Sequence, residues 1–165
     1  LREKVMGMDV IRVATPGFPR NLMVGRALWQ FGGSVAFFAA GLFIARHDAT
    51  IVYSPPLPLG FVAWGLKRLR RIPFILNVQD LFPQSIIDLG LLKNRCLIRV
   101  FEAIERFLYV QADAITVHSE GNRQYVACKI SRGRDSKGIR EKIKVIPNWV
   151  DTNFIHPHNR MNGFR

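Results

Sequence analysis

Short apolar runs alternate along this chain with longer stretches of helical periodicity. The runs end at polar or turn-forming residues, as strands of a buried sheet do. The predicted strands are residues 8–14, 49–53, 74–78, 114–117 and 143–146. Helical segments between strands favour parallel pairing, because a strand that returns in the same direction needs a crossover. The alternation therefore predicts an α/β fold with a parallel sheet and helices on both faces.

The run at 74–78 is followed at once by two polar residues, Gln79 and Asp80. Its apolar character, with a single polar break at Asn77, predicts an inner strand that is buried on both faces. Ligands of open parallel sheets bind beyond the carboxyl ends of the strands, so Asp80 is a candidate site residue. The alternative is that Asp80 only caps the next turn.

Polar residues also follow the other predicted strands. They are Ser54, Ser119, Glu120, Asn148 and Asp151. Because the carboxyl ends of parallel strands share one edge of a sheet, these residues and the Gln79-Asp80 pair are expected to form one row. A polar row beside apolar walls is what a sugar-binding cleft requires. The alternative for each residue is a local cap or turn, as for Ser119 before a helix that begins near Gly121.

Three segments of the chain resemble motifs of one known family. They are QDLFPQSIIDLG at 79–90, ADAITVHSEG at 112–121 and KIKVIPNWVD at 142–151. Their order and spacing resemble glycosyltransferase family 4, in the branch of colanic-acid and O-antigen type bacterial sugar transferases. The resemblance extends roughly from residue 10 to 165 and is weakest between 20 and 46.

The resemblance implies the amino-terminal half of a GT-B fold, in which two Rossmann-like domains face each other across a cleft. In such enzymes the amino-terminal domain holds the acceptor and the carboxyl-terminal domain holds the nucleotide sugar. Residues 1–150 are then the Rossmann-like acceptor-side domain, with its first strand and helix missing. Residues 151–165 begin the linker to an absent donor-binding domain. The segment alone is expected to be inactive, whereas its parent transfers sugar with retention.

Within this framework Asp80 is the first candidate for a catalytic residue. The substrate-binding candidates are Ser54, Gln79, Ser119, Glu120, Asn148 and Asp151. Many family members carry histidine at the position of Gln79; a glutamine cannot act as an acid or base, but it can hydrogen-bond a sugar hydroxyl. The resemblance implies a nucleotide sugar as donor, no other cofactor and no metal. His156 and His158 lack a nearby third ligand and are a poor zinc signal.

A net charge of +12 predicts a polyanionic partner. Basic residues cluster at 67–71 and again at 122–144, although a solvated surface is the alternative for each cluster. The uncharged, aromatic-rich stretch 27–45 predicts a buried or interfacial helix, and its length borders on that of a membrane span. Together these features predict peripheral attachment at the cytoplasmic face of the cell membrane, where a lipid-linked acceptor would reach Asp80.

Two other functional classes remain open from sequence. A non-catalytic, basic nucleic-acid-binding module would explain the charge, but Tyr125 is the one aromatic residue among the basic residues of 122–144, so nucleic acid is not expected. An integral membrane protein anchored through 27–45 is the other. A nicotinamide-dependent enzyme is disfavoured, because neither GxGxxG nor GxxxxGK[ST] occurs.

Overall fold

The computed structural model describes residues 2–14, 23–45, 47–131 and 136–154. The strands in this part of the chain are β1 (Arg2–Val5), β2 (Met8–Ile11), β3 (Thr50–Ser54), β4 (Phe74–Val78), β5 (Ala114–Val117) and β6 (Ile143–Val145). The helices are α1 (Met23–Phe43), α2 (Pro58–Arg70), α3 (Gln84–Asp88), α4 (Arg95–Gln111), α5 (Glu120–Ser131) and α6 (Ser136–Lys142).

Four strands form a parallel sheet in the order β3-β4-β5-β6. Their carboxyl ends are in register, since Ser54 pairs with Val78, Val78 with Val117 and Val117 with Val145. The predicted α/β class and parallel sheet are confirmed, and the fold is consistent with a Rossmann-like domain. The residues that follow these strands therefore begin at a common edge.

The connecting helices lie on one face of the sheet. Because the strand order follows the chain, right-handed crossovers place α2, α4 and α5 on the same side. On that side Phe74, Leu76 and Val78 are fully buried, in one core with helical residues such as Leu108 and Val126. Sequence predicted helices on both faces; the described helices that connect these strands cover only one.

Strand β4 shows most directly that the connecting helices cover one face of the sheet. It was predicted to be buried on both faces, but its residues alternate between buried and half-buried. Ile75 and Asn77 lie on the face that the connecting helices leave uncovered. The polar break at Asn77 marks this open face, because alternate residues of a strand point to opposite sides.

The strand predicted at 8–14 is shorter and has another partner than expected. Strand β2 ends at Ile11 and pairs antiparallel with β1, outside the parallel sheet. The two strands are joined by Met6 and Gly7, with φ angles of 49° and 82°. Such left-handed angles give a two-residue turn that reverses the chain, so β2 forms a hairpin in place of a first parallel strand.

Helices α1 and α2 pack closely along their length. A Cβ atom on Gly65 would lie 2.6 Å from Cε2 of Phe38, so glycine is what admits this ring. Nη1 of Arg70 donates to the carbonyl oxygens of Gly41 at 2.9 Å and Ile44 at 2.7 Å, which closes the last turn of α1. The predicted helix at 27–45 is confirmed with shifted ends. In the described part of the chain, no helix combines the length and apolarity that a bilayer crossing requires.

Helix α4 supplies the centre of the buried face. Asn94 caps its start by accepting hydrogen bonds from the amides of Cys96 at 2.9 Å and Leu97 at 3.2 Å. At its other end, Nζ of Lys67 donates to the carbonyl oxygen of Gln111 at 2.8 Å. A lysine at this position also meets the negative end of the helix dipole. Buried residues of this helix, such as Leu108 and Tyr109, share one core with those of β4 and β5.

Candidate functional site

A cavity of about 540 Å³ opens on the uncovered face of the sheet, beside its carboxyl edge. Alternate residues of β3, β4 and β5 form its floor, and residues that follow β4, β5 and β6 form its upper wall. The lining residues are Ile51, Tyr53, Ile75, Asn77, Gln79, Thr116, His118, Ile146, Asn148 and Trp149. Because these residues come from four neighbouring strands, the sheet itself brings them together.

The polar side chains of this cavity form a hydrogen-bonded chain. Nε2 of Gln79 donates to Oδ1 of Asn77 at 2.8 Å. Nε2 of His118 lies 2.7 Å from Oε1 of Gln79, and Nδ1 of the same ring lies 3.3 Å from the carbonyl oxygen of Ile146. The Gln79 carboxamide is thus held on both sides, which fixes its orientation toward the cavity.

Two aromatic rings flank this polar chain. Trp149, which follows β6 in the chain, is 85% exposed, and Tyr53 on β3 is 55% exposed. Ile51, also on β3, is 62% exposed. Large apolar side chains at this exposure on one face mark a surface on which a ligand or another segment can bury area.

Two of the predicted site residues, Gln79 and Asn148, line the cavity. Asp80 lies beside it and is exposed. Helix α3 begins after Pro83 without a side-chain cap, so Asp80 does not cap that helix. Asp80 also makes no side-chain hydrogen bond within the described part of the chain, which leaves its carboxylate accessible at the carboxyl edge.

The other predicted residues make local contacts outside the cavity. Ser54 is buried at the end of β3, where its carbonyl oxygen accepts from the amide of Gln79 at 2.9 Å. Oγ of Ser119 accepts from the amide of Asn122 at 3.2 Å and caps α5, as the local alternative predicted. Oε1 of Glu120 pairs with Nη2 of Arg123 at 2.6 Å. Oδ1 of Asp151 accepts from the amide of Asn153 at 2.9 Å, which is a turn contact.

Sequence reasoning missed several lining residues, above all Tyr53, Asn77, His118 and Trp149. His118 and Trp149 lie inside the quoted motifs, but each stands next to the residue that was chosen. Asn77 was taken as a break in a buried strand. Tyr53 and Asn77 lie within β3 and β4, whereas the prediction chose only residues that follow a strand. The polarity of Asn77 was the available signal.

The largest electrostatic perturbation lies on the helical side, between α4 and α5. Glu105 is fully buried, and this burial raises the pKa of its carboxyl to about 7 despite a 2.9 Å hydrogen bond from the hydroxyl of Tyr109. Nζ of Lys129 lies 3.5 Å from Oε2 of Glu105 and 2.7 Å from Oε1 of Glu102. This cluster joins two helices and lies apart from the cavity, so its perturbed pKa marks a structural contact.

No three His, Cys, Asp or Glu side chains converge as metal ligands among the described residues. His156 and His158, which are a poor zinc signal in the sequence, lie outside the residues that the structure describes.

Comparison with known proteins identifies the family. The family model described as a glycosyl transferase 4-like domain matches residues 2–149. No curated protein matches the chain. The matched range contains β1 to β6 and every residue that lines the cavity, and it supports a glycosyltransferase-type function. The chain belongs to the glycosyl transferase 4-like family.

Proposed function

We propose that this chain is the acceptor-side domain of a colanic-acid or O-antigen type glycosyltransferase. The parent enzyme moves a sugar from a nucleotide sugar to a lipid-linked or polysaccharide acceptor in surface polysaccharide synthesis. The observation that carries this proposal is the convergence of Gln79, His118 and Asn148 on one cavity at the carboxyl edge, in a chain with the family match. Amide and imidazole groups beside aromatic rings suit the recognition of sugar hydroxyls.

The donor is assigned to a second domain. Residues 1–150 form the acceptor side, residues 151–165 begin the linker, and a carboxyl-terminal domain grips the nucleotide sugar across the cleft. Transfer then proceeds with retention, and residues 1–165 alone do not catalyse it. The resemblance in the three motifs supports this arrangement.

Asp80 is proposed as the catalytic residue of this side. Its carboxylate is exposed next to Gln79. A carboxylate at this edge can accept a hydrogen bond from a hydroxyl of the acceptor or of the transferred sugar. Its position one residue beyond a cavity-lining side chain supports contact with a ligand that extends from the cavity into the cleft.

Peripheral attachment to the inner face of the cell membrane is part of the proposal. Helix α1 exposes aromatic side chains, including Phe31 and Phe43, and the end of α2 exposes Arg68 and Arg71. Lys67 and Arg70 of the same basic cluster bind protein oxygens, so only part of that cluster faces a headgroup. In the second cluster, Arg123, Lys129 and Lys142 have protein partners. The side chains of Arg132, Arg134, Lys137 and Arg140 lie outside those that the structure describes.

The test is transfer by the full-length enzyme. Radiolabelled uridine- and guanosine-diphosphate sugars are each incubated with the enzyme and a polyprenyl-diphosphate-linked monosaccharide, and the lipid fraction is counted. We expect label in that fraction for at least one donor, and an anomeric configuration in the product that matches the donor by NMR. An inverted product would refute retention. No label with any donor, from an enzyme that is folded by circular dichroism, would refute the transferase assignment for these acceptors.

A further inference from the structure

We propose that the groove between α1 and α2, on the outer side of the helix layer, takes one acyl chain of an anionic phospholipid, with Arg68 beside the phosphate of that lipid. This inference rests on the membrane attachment in the proposed function and names the lipid group that the attachment uses. It concerns a surface that lies apart from the three motifs and from the cavity at the carboxyl edge.

The groove has a volume of about 240 Å³ and lies on the side of α2 that faces away from the sheet. Its lining comes from α1 and α2 alone, with Phe61, Trp64 and Gly65 on the α2 side. Ala63 and Leu66 of the same helix are buried on the sheet side. A strand added beside β3, or a helix on the uncovered face of the sheet, would therefore leave this groove open.

The lining of the groove is apolar. Among the described residues that line it, only Ser34 and Trp64 carry a polar side-chain atom, and none carries a charge. Oγ of Ser34 donates to the carbonyl oxygen of Gln30 at 2.8 Å, so its hydrogen is already used within α1. Val35 and Phe31 on the same helix are 69% and 50% exposed. A hydrocarbon chain can bury this surface without leaving a polar group of its own unpaired.

The groove runs along both helices, because α1 and α2 point in the same direction. Phe38 of α1 lies against Gly65 of α2, where a Cβ atom would come within 2.6 Å of its ring. One turn later, Nη1 of Arg70 binds the carbonyl oxygen of Ile44 at 2.7 Å. The two helices therefore stay side by side over several turns, which gives an extended groove that suits a chain.

Arg68 supplies a cation at one end of this groove. Phe61, Gly65 and Arg68 follow each other at i, i+4 and i+7, so they share one face of α2. Arg68 is exposed, and its guanidinium makes no hydrogen bond or ion pair within the described part of the chain. A guanidinium offers a phosphate two parallel N–H donors. An apolar chain in the groove would thus bring a phosphate at its end to an available partner.

Trp64 stands where a lipid interface favours this residue. Its ring is partly exposed and meets Phe107 of α4 edge to face, with ring centroids 5.3 Å apart, and Phe61 stacks on the same Phe107 ring at 5.9 Å. The indole N–H of Trp64 makes no hydrogen bond to the described residues. A tryptophan with an apolar body and an unused N–H is typical of the boundary between hydrocarbon and water.

The net charge of +12 favours a bilayer over a second copy of this chain as the partner. Two copies with this charge repel each other, whereas an anionic bilayer attracts each of them. Residues 27–45 contain no charged side chain, so α1 offers a protein partner no ion pair that would select it. An apolar groove beside an exposed arginine on a cationic protein is complementary to an anionic lipid.

Photochemical labelling of the full-length protein tests this inference. Liposomes contain phosphatidylglycerol with a diazirine in the middle of one acyl chain, and labelled peptides are located by mass spectrometry after irradiation. We expect label on the residues of α1 and α2 that line the groove. Phosphatidylcholine with the same chain should give about fivefold less label, which is the contribution of one basic residue near an anionic surface. Label confined to other segments, or equal label from both lipids, would overturn the inference.

Matched variants locate the chain and the headgroup. Val35→Glu is expected to lower the labelled fraction about tenfold or more, because it places a charge in the apolar groove, whereas Val35→Leu should keep the label. The control is Leu91→Glu, the same kind of change at a residue that is 66% exposed before α4. Arg68→Gln should lower the label from phosphatidylglycerol to that from phosphatidylcholine, with Arg99→Gln as its control. A control that loses as much label as its partner variant would overturn the inference.

Other occupants and the proposed function give distinguishable results. A dimer in sedimentation velocity that Val35→Glu dissociates would show that a second copy covers the groove and would overturn the inference. Groove label from a diazirine polyprenyl phosphate but not from phospholipid would overturn it as well. Groove label on an enzyme that transfers no sugar would keep the inference and refute the function. Sugar transfer without groove label would refute the inference and leave the transferase function standing.

Discussion

Nζ of Lys67 donates a 2.7 Å hydrogen bond to Oδ1 of Asp113, joining the last turn of α2 to the residue that precedes β5. Oδ2 of Asp113 accepts from the amide of Phe74 at 2.9 Å, so the same carboxylate also fixes the start of β4. Desolvation pushes the pKa of the Asp113 carboxyl upward, but the hydrogen bonds from Lys67 and Phe74 and the charges of Lys67 and Lys142 outweigh it and hold that pKa below its ordinary value.

Asp113→Ala is expected to lower the free energy of unfolding by about 1–2 kcal/mol at pH 7, because it removes two hydrogen bonds from a half-exposed, solvent-screened group. A lowered pKa means that this stabilisation is present above the ordinary aspartate range and is lost as the pH falls through the folded-state value. Urea unfolding at pH 7 and at acid pH measures both effects. The control is Asp88→Ala, an exposed aspartate that accepts a hydrogen bond from Gln84. An equal loss in both variants would contradict a special role for Asp113.

The buried Glu105 makes stability fall as the pH rises. Its pKa is raised from 4.5 to about 7, chiefly by burial, so the folded chain holds a proton that the unfolded chain releases. Tyr109, Glu102, Tyr125 and Lys129 are the titratable groups around it. Protonated Glu105 therefore contributes to the free energy of unfolding fully below about pH 4.5, and this contribution is lost as the pH rises to about 7.

Glu105→Gln is therefore expected to flatten the decline in stability across that window, by about 3 kcal/mol at most. Unfolding by guanidinium chloride at several pH values measures it. Glu102→Gln is the control, since Glu102 is partly exposed one turn earlier on α4 and also binds Lys129. A decline that stays as steep in Glu105→Gln would show that another group causes the pH dependence.

Asp80→Asn is expected to cut turnover by the full-length enzyme by about tenfold or more, because it removes the negative charge at the carboxyl edge. Asp80 is exposed and does not cap α3, so the fold should survive, and the melting temperature should stay within about 1–2 °C. Steady-state transfer rates and a thermal melt are the two measurements. Near-normal turnover would reduce Asp80 to a surface residue.

Attachment to membranes is expected to depend on Arg68 and Arg71. Full-length protein should sediment with anionic liposomes and lose most binding in high salt or with neutral lipid, since each basic residue near the surface contributes about 1 kcal/mol. Reversal of both charges to Glu should weaken sedimentation more than Arg95→Glu with Arg99→Glu, the same charge change on exposed residues of α4. Binding that survives high salt and carbonate would indicate insertion. No binding to any liposome would indicate that the positive charge of the protein serves another polyanionic partner.

Residues 1–165 expressed alone are expected to aggregate and to show no sugar transfer. Strand β3 is the end strand of the described parallel sheet, and it exposes Ile51 and Tyr53. Unpaired backbone groups beside exposed apolar side chains favour association between sheets. Ile51→Lys should raise the soluble fraction in centrifugation more than Leu69→Lys, the same change on the surface of α2. A monomeric, cooperative melt of the unmodified segment would contradict this expectation.

The strands and helices with strong local signals could be predicted from sequence. Strand β4 has the predicted ends. The pairing of β2 could not, because it depends on Arg2–Val5, a segment without a clear apolar pattern, and on the turn at Gly7. Local pattern specifies that a strand forms, whereas its neighbour in the sheet is a long-range property.

The site was predicted only in part for the same reason. Gln79 and Asn148 were found because they follow strands, but His118 meets Gln79 only through the pairing of β4 with β5. For the basic cluster at 67–71, the sequence suggested more free charge than the structure shows. It looked like a free charged surface, yet Lys67 and Arg70 reach oxygens of residues that are distant in sequence. A charge pattern does not tell which charges the fold itself uses.

The guanidinium of Arg70 has a consequence for how this domain meets any neighbour. It binds the carbonyl oxygens of Gly41 and Ile44, while Phe38 fills the space that Gly65 leaves. For α1 to swing away from α2, both carbonyls and a partly buried aromatic ring would have to be released together. A surface that binds α1 therefore also restrains α2, and through the contacts of α2 with β3 and β4 it restrains one side of the sheet.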